Sequence, residues 1–332
     1  IENKCITPII DFTSPPIDNI QQIYESLPQE LKLLQTPSEL KEAYTQSLNW
    51  FLARKEFLLQ VYQQQRKQID DVSVALLGRP YLVFDPVMNK NILENFNQLG
   101  IKTFSQDMLP QAEIGAGGRT SDFLSWNHWS YGDQILRTAE YIGKTKGLYP
   151  VYLSAFKCSP DSFVIHYFKE IMDEYGKPYL ILQIDEHGSD VGYGTRVESA
   201  TETFRNHFRQ DKPVPVKTVK PEDPRISFKD KDILLPNYDP LCTDLICAAF
   251  EYAGYRAHVI EETPTTVLAS LRLNDGQCLP ISCIVQGAVE TIQKKQLKPE
   301  DSAIFLNAIS QVACNFPQYP ILTKMLLKQC GE

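Results

Sequence analysis

The chain has 332 residues, of which 43% are hydrophobic and 22% charged, and its formal net charge is −8. This composition is typical of a folded globular protein and excludes a disordered chain, and the length predicts two domains. The negative charge and the lack of a dense Lys/Arg cluster argue against nucleic acid as a partner. No apolar run reaches the ~18–20 residues that span a bilayer, so no membrane partner is expected.

The cellular compartment sets the expected state of the cysteines. The chain begins at Ile1 without a Met and without a signal peptide, which predicts a cytoplasmic protein cut from a longer one. In a reducing compartment its eight cysteines are expected to be core residues, catalytic thiols or metal ligands instead of disulfides. No two cysteines form a CxxC pair, so spacing alone predicts neither a zinc ribbon nor a ferredoxin.

Four segments are predicted along the chain. Residues 1–70 form an N-terminal helical segment, in which apolar side chains recur at helical spacing from Ser38 onwards. Residues 71–205 are predicted to be a first α/β domain. A Pro-rich, charged linker follows over residues 206–230, and residues 231–332 form a second α/β domain.

The two α/β domains have the same predicted order of elements. Gly100 and Gly254, which each end a predicted helix, are 154 positions apart, and Cys158 and Cys314, which each follow a predicted strand, are 156 apart. Alternating strands and helices predict parallel sheets with right-handed crossovers. The fold class is therefore α/β, with two flavodoxin/Rossmann-like halves whose ligands are expected beyond the carboxyl ends of the strands.

Three cysteines stand out by position, because each lies in a predicted loop beside a Pro or a Gly. They are Cys158, Cys278 and Cys314. Three thiolates from three loops can hold one 4Fe-4S cluster and leave one iron open. Position alone favours the plainer alternative of three unrelated thiols. Cys242, Cys247 and Cys283 fall in predicted helices, and we expect them in the core.

A dense polar cluster follows the predicted strand 179–184 and contains Asp185, Glu186 and His187. It predicts either acid–base chemistry or a hydrogen-bonded loop between domains, and the two interpretations are equally supported. A nucleophilic pair of Cys158 with His187 has no local signature. The sequence lacks both the P-loop and the GxGxxG pattern, so no nucleotide site is expected in this chain.

Several motifs occur together and in a fixed order. They are Leu-Gly-Arg-Pro-Tyr at 77–81, Phe-Lys-Cys-Ser-Pro-Asp-Ser-Phe at 156–163, Ile-Asp-Glu-His-Gly-Ser-Asp at 184–190, Gly-Gln-Cys-Leu-Pro at 276–280 and Ala-Cys-Asn-Phe-Pro-Gln-Tyr at 313–319. Together they resemble the acyl-CoA dehydratase activase-related proteins, over roughly residues 70–332. Gly188 and the run 191–194 make the Asp-Glu-His loop atypical for that family.

The resemblance implies the 2-hydroxyacyl-CoA dehydratase-like, C-terminal part of a large CoA-enzyme activase from anaerobic metabolism. It implies that Cys158, Cys278 and Cys314 bind an iron–sulfur cluster, and that Asp185, Glu186 and His187 line the same cleft as catalytic residues.

The implied partners are an ATPase domain or protein, whose hydrolysis of ATP drives electron transfer, and an acyl-CoA substrate. A homodimer is one assembly that the resemblance allows. Two alternatives stay open: a zinc site made of the same thiols, and a non-enzymatic interaction module that has lost the cluster.

Overall fold

The computed structural model describes residues 6–8, 15–34, 36–112, 119–155, 159–185, 190–210, 228–306 and 314–331. The chain divides into two compact units, Ile1–Gln68 and Ile69–Glu332. The first unit contains helices, and both β-sheets belong to the second unit. This arrangement confirms the predicted α/β class with an N-terminal helical segment.

The first unit contains the predicted long helix. Its helices are α1 (Pro16–Ser26), α2 (Gln29–Lys32) and α3 (Pro37–Arg66). Thr36 caps α3, because its hydroxyl accepts a hydrogen bond from the Glu39 N–H while the Glu39 carboxylate accepts one from the Thr36 N–H. The large side chains of Trp50, Phe51 and Phe57 on this helix are exposed.

The first sheet has four parallel strands. They are β1 (Ser73–Gly78), β2 (Lys102–Ser105), β3 (Leu148–Ala155) and β4 (Leu180–Ile184), in the spatial order β2-β1-β3-β4. This is the strand order of flavodoxin-like sheets. The inner strands β1 and β3 are buried along their whole length because helices cover both faces.

Six helices accompany the first sheet: α4 (Pro80–Val83), α5 (Ile92–Gln98), α6 (Arg119–Trp126), α7 (Ser130–Lys144), α8 (Ser159–Glu174) and α9 (Asp190–Gln210). β1 ends at Gly78, whose φ is +148°. A Cβ atom there would lie 2.6 Å from the carbonyl oxygen of Leu153 on β3. Gly78 therefore lets the chain turn while the two inner strands stay paired.

The second sheet has three parallel strands. They are β5 (Asp232–Leu235), β6 (Arg256–Val259) and β7 (Ser302–Ile304), in the order β6-β5-β7. Its helices are α10 (Pro240–Tyr252), α11 (Pro264–Ser270), α12 (Leu279–Lys295) and α13 (Tyr319–Cys330).

The two sheets repeat one topology. β2 and β6 start at Lys102 and Arg256, and β3 and β7 start at Leu148 and Ser302, so both pairs are 154 positions apart. The first three strands of each sheet also have the same spatial order. In a sheet of this order, the switch point lies between the first and third strands, at their carboxyl ends.

The predicted division of the second unit into 71–205, 206–230 and 231–332 stays a prediction. α9 continues to Gln210, inside the predicted linker. Residues 211–227, the larger part of that linker, lie outside the described residues. Within the described part of the chain, no helix is long and apolar enough to cross a membrane.

Candidate metal centre

The predicted site residues divide into described and undescribed ones. The structure describes Cys278, Cys314 and Asp185. Cys158, Glu186 and His187 lie outside the described residues, so their predicted roles are judged only from the chain around them.

Cys278 is the N-cap residue of α12, a helix of 17 residues. Its side chain is half-buried. The partial positive charge at a helix N-terminus stabilises negative charge on a sulfur atom at this position. The local sequence explains the position, because Pro280 at the second residue of the helix favours a helix start here.

Cys314 is exposed and precedes a short 3-10 turn, Phe316–Gln318, after which α13 begins. The next residue, Asn315, donates a hydrogen bond from Nδ2 to the Sγ atom of Cys278 over 3.1 Å. This bond joins residues 37 positions apart and connects the segment of Cys314 to the start of α12.

Tyr319, the first residue of α13, lies beside both cysteines. Its side chain is buried and hydrogen-bonds to Cys278. Burial raises the pKa of the Tyr319 hydroxyl well above its usual range, and the charges of Cys278 and Cys314 raise it further. Tyr319 therefore contacts Cys278 directly and interacts electrostatically with Cys314.

Aromatic rings pack around Tyr319. The Phe316 ring lies 4.9 Å from the Tyr319 ring and 5.6 Å from the Tyr238 ring, measured between centroids. The Phe163 ring of α8 stacks at 6.4 Å from Tyr319. Cys278 packs against the hydrophobic cluster that contains Phe163 and Tyr319, whereas Cys314 is exposed.

Helix α8 brings the chain that follows Cys158 to the same place. It begins at Ser159, directly after Cys158, and Phe163 lies one turn further on. Besides the Phe163–Tyr319 contact, the Tyr167 hydroxyl donates a hydrogen bond to the Gln318 Oε1 atom over 3.1 Å. The start of α8 is thus anchored beside the segment of Cys314.

Helix α8 also contacts the chain at the end of β1, in the first sheet. Arg79, which follows β1, donates a hydrogen bond from Nε to Oδ1 of Asp161 over 2.9 Å. Asp161 lies in the first turn of α8, and 1% of its side chain is exposed. Burial raises the pKa of Asp161, whereas the charge of Arg79 acts in the opposite direction.

The thiol groups of Cys278 and Cys314 are the type of ligand that a soft metal or an iron–sulfur cluster requires, but two thiols are too few to hold either. Thiolates are the ligands that zinc and iron–sulfur clusters prefer. Among the described residues, no group of three or more His, Cys, Asp and Glu is placed to hold a metal ion. A three-thiolate site therefore requires Cys158 in addition to Cys278 and Cys314.

The predicted acid–base cluster belongs to the first sheet. Asp185 directly follows the edge strand β4, and its side chain is exposed. Cys278 and Cys314 lie on connections of the second sheet, and the prediction that Asp185, Glu186 and His187 line the same cleft as the cysteines stays a prediction.

The other cysteines test the sequence interpretation. Cys283 is buried, as predicted, and Cys247 is half-buried. The prediction of a core position for Cys242 is wrong, because Cys242 is exposed. The reason is that α10 covers the sheet with a narrow face, on which Thr243 is buried, and leaves most of its surface uncovered.

Sequence reasoning missed Asn315, Tyr319 and the Arg79–Asp161 pair. All four lie inside the motifs noted above, but a motif does not show which side chains meet across 37 or 82 positions. The signal that was available in the sequence was the position of Asn315, directly after the predicted ligand Cys314.

Part of the chain is similar to a known protein family. Residues 1–109 match the family model described as the CoA enzyme activase uncharacterised domain. This confirms the predicted relation to CoA enzyme activases. The match covers the first unit and the start of the second, and it ends before the thiol site. No curated protein and no solved structure matches the chain.

Proposed function

We propose that the second unit is an iron–sulfur electron-transfer or dehydratase-like module of a CoA-enzyme activase. One 4Fe-4S cluster would be held by Cys158, Cys278 and Cys314. The observation that carries the proposal is the hydrogen bond from Asn315, the residue after Cys314, to the Cys278 sulfur, which joins the two segments at the carboxyl-end side of the second sheet. This is where parallel sheets of this order bind their ligands.

The residues of the chain have separate tasks in this proposal. Cys278 is held at a helix N-terminus, where negative charge is stabilised. The hydrophobic cluster that contains Tyr319 packs against Cys278 and would shield that side of a bound cluster from water. The exposed position of Cys314 leaves the other side open to a partner. A bound cluster supplies one-electron transfer at low potential.

The position of α8 supports Cys158 as the third ligand. The helix that starts directly after Cys158 contacts Tyr319 through Phe163 and Gln318 through Tyr167. The three cysteines of the proposed set are therefore associated with one group of packed elements, although they lie up to 156 positions apart in the sequence.

The partners are proposed from the family relation. The match to the CoA enzyme activase domain supports an ATPase domain or protein as the source of electrons and an acyl-CoA as the substrate. In that setting Asp185, Glu186 and His187 would move protons in a cleft shared with the three cysteines, and this chain would contribute no nucleotide site.

Two alternative functions use observations of the same structure. A zinc site can be built from the same thiols. A non-enzymatic interaction module is favoured by α10, on which Leu241, Leu245 and Tyr252 are exposed. The metal content of the protein separates the three functions.

The test is anaerobic reconstitution of the full chain with iron and sulfide. We expect a brown protein with near-equal iron and acid-labile sulfide, and we expect Cys158→Ala, Cys278→Ala and Cys314→Ala each to bleach its visible absorption. Cys283→Ala is the matched control, because the Cys283 sulfur is buried in α12, 3.4 Å from the Ser270 hydroxyl, and its loss should leave the colour unchanged.

The other results are equally informative. Zinc alone, bound by the same three cysteines, would favour the structural zinc site. A folded protein that takes up neither metal nor sulfide would overturn the cluster and leave the interaction module.

A further inference from the structure

We infer that the pocket between the end of β7 and α13 binds a small organic carboxylate with an aromatic or aliphatic body. The pocket has a volume of about 550 Å³, and small-molecule sites typically measure ~300–1,000 Å³. Neither Cys278 nor Cys314 lines it. The inference therefore goes beyond the proposed function and does not depend on a bound cluster.

The pocket lies beside β7, an edge strand of the second sheet. In the first sheet β4 pairs with the outer side of β3, whereas in the described part of the second sheet no strand pairs with the outer side of β7. All three residues of β7 are half-buried as a result, although β3 is buried along its whole length. The apolar side chains that line the pocket are Trp126, Ile304, Leu306, Pro320 and Leu327.

Trp126 is held at the pocket by the turn that precedes α13. Its backbone carbonyl accepts a hydrogen bond from the Nε2 atom of Gln318, a fully buried residue. The Oε1 atom of Gln318 accepts the hydrogen bond from the Tyr167 hydroxyl. Trp126 is nevertheless 39% exposed. A large, flat apolar surface is thus fixed in place and stays open to a ligand.

Three polar side chains of α13 determine the charge that the pocket prefers. Lys324 and Lys328 are exposed and one helical turn apart, so they lie on the same side of the helix. The Thr323 hydroxyl is buried and has no hydrogen-bond partner among the described residues. No acidic side chain occurs among the described lining residues. An anionic oxygen in the pocket would accept a hydrogen bond from Thr323 and would be attracted by both lysines.

The position of the lysines along α13 favours a singly charged ligand. Both lie in the second half of this helix, Tyr319–Cys330, where the backbone dipole presents its negative end. That end repels a doubly charged phosphate more strongly than a carboxylate. The described lining also contains no arginine, the side chain whose planar group best matches phosphate.

The test follows the fluorescence of Trp126 while 4-phenylbutyrate is added to the full, metal-free chain. The chain has three tryptophans, and Trp50→Phe/Trp129→Phe leaves Trp126 as the reporter at the pocket. We expect saturable binding of 4-phenylbutyrate. We expect about tenfold weaker binding of 4-phenylbutyramide, an uncharged analogue of similar shape, because the amide loses its attraction to two exposed lysines. Calorimetry on the wild-type chain should give the same ratio of dissociation constants.

Substitutions separate the charge from the apolar surface. Lys324→Met/Lys328→Met should weaken the carboxylate about tenfold, to the affinity of the amide, and leave the amide unchanged. Thr323→Val keeps the shape of the side chain and should weaken the carboxylate about threefold. Lys295→Met is the matched control, because Lys295 is exposed in the last turn of α12 and does not line the pocket.

The outcomes decide the inference without reference to a cluster, because no metal is present. A carboxylate affinity that falls in the double lysine variant and stays unchanged in Lys295→Met would sustain it. It would be overturned by a lack of saturable 4-phenylbutyrate binding, by equal affinities of acid and amide, or by an unchanged affinity in the double lysine variant. Circular dichroism and melting temperature show whether that variant is folded, and Thr323→Val decides the question if it is not.

Discussion

At the scale of single residues, the buried carboxylate of Asp161 is the feature most sensitive to substitution of its neighbours. Asp161 has 1% of its side chain exposed, and its Oδ1 atom accepts a hydrogen bond from Arg79, whose side chain is 16% exposed. Removal of one partner of a buried ion pair leaves an uncompensated charge in a low-dielectric environment. The pair therefore determines whether the first turn of α8, directly after Cys158, keeps its position.

Arg79→Met should destabilise the protein by about 3 kcal/mol at pH 8. The pKa of Asp161 is already raised by burial, and the loss of Arg79 raises it further. For an acid with a raised pKa in the folded state, stability falls as pH rises from the unfolded pKa through the folded pKa. The deficit of the variant should therefore shrink at acidic pH, which urea unfolding at pH 5 and pH 8 measures.

The double variant Arg79→Met/Asp161→Asn is the control, because it removes both charges. It should recover a large part of the stability that the single variant loses at pH 8. The loss of stability in Arg79→Met could instead be the same at both pH values and remain in the double variant. That result would show that the unpaired Asp161 charge is not its cause.

At the scale of elements, α8 contacts segments that belong to both sheets. Asp161 binds the loop after β1, Phe163 contacts Tyr319, and Lys169 forms an ion pair with Asp275 over 3.4 Å, in the segment before Cys278. His166 lies on the same helix and is buried. The loop after β1 and the segment before Cys278 are thus both in contact with α8.

His166 should make the protein sensitive to acid. Burial lowers the pKa of His166 to about 4, with the charge of Lys169 acting in the same direction and Asp275 and Gln277 opposing it. Below its unfolded value of 6.5 the unfolded chain takes up a proton that the folded chain does not. Stability should therefore fall by about 2–3 kcal/mol as pH drops from 6.5 to about 4.

His166→Gln tests this prediction, because Gln does not titrate. The difference in unfolding free energy between wild type and variant, measured from pH 7 to pH 4.5, should move in favour of the variant. Lys169→Met is a useful comparison, since it removes a neighbouring charge and leaves the histidine. A difference that stays constant over this range would contradict the assignment.

Some elements could be predicted from the sequence and others could not, depending on whether a local residue pattern determines them. Buried strands such as β1 and β3 are continuous apolar runs, and α3 has a regular helical period, so both were predictable. The exposed face of α10 was not predictable, because apolar side chains such as Leu241 and Leu245 normally indicate a buried helix face. The strands of the second sheet, beneath α10, are short and cover only a narrow face of that helix, so its other apolar side chains stay exposed.

At the scale of the whole molecule, the order of the strands and helices was predictable from the sequence, whereas the side-chain contacts were not. The repeat of strand, loop and helix placed Cys158 and Cys314 after equivalent strands, and the shared order of the two sheets agrees with it. The hydrogen bond of Asn315 and the ion pair of Arg79 depend on side-chain orientation across distant segments, which no local pattern contains.

The central claim is that Cys158, Cys278 and Cys314 form one metal site. A cobalt(II) titration of the reduced, metal-free chain under anaerobic conditions tests it most directly, because the thiolate-to-cobalt absorption increases with the number of bound thiolates. We predict one cobalt per chain, and a loss of about a third of this absorption in each of Cys158→Ala, Cys278→Ala and Cys314→Ala, as expected for a three-thiolate site. An unchanged absorption in these variants, or a loss only in Cys242→Ala, would contradict the account.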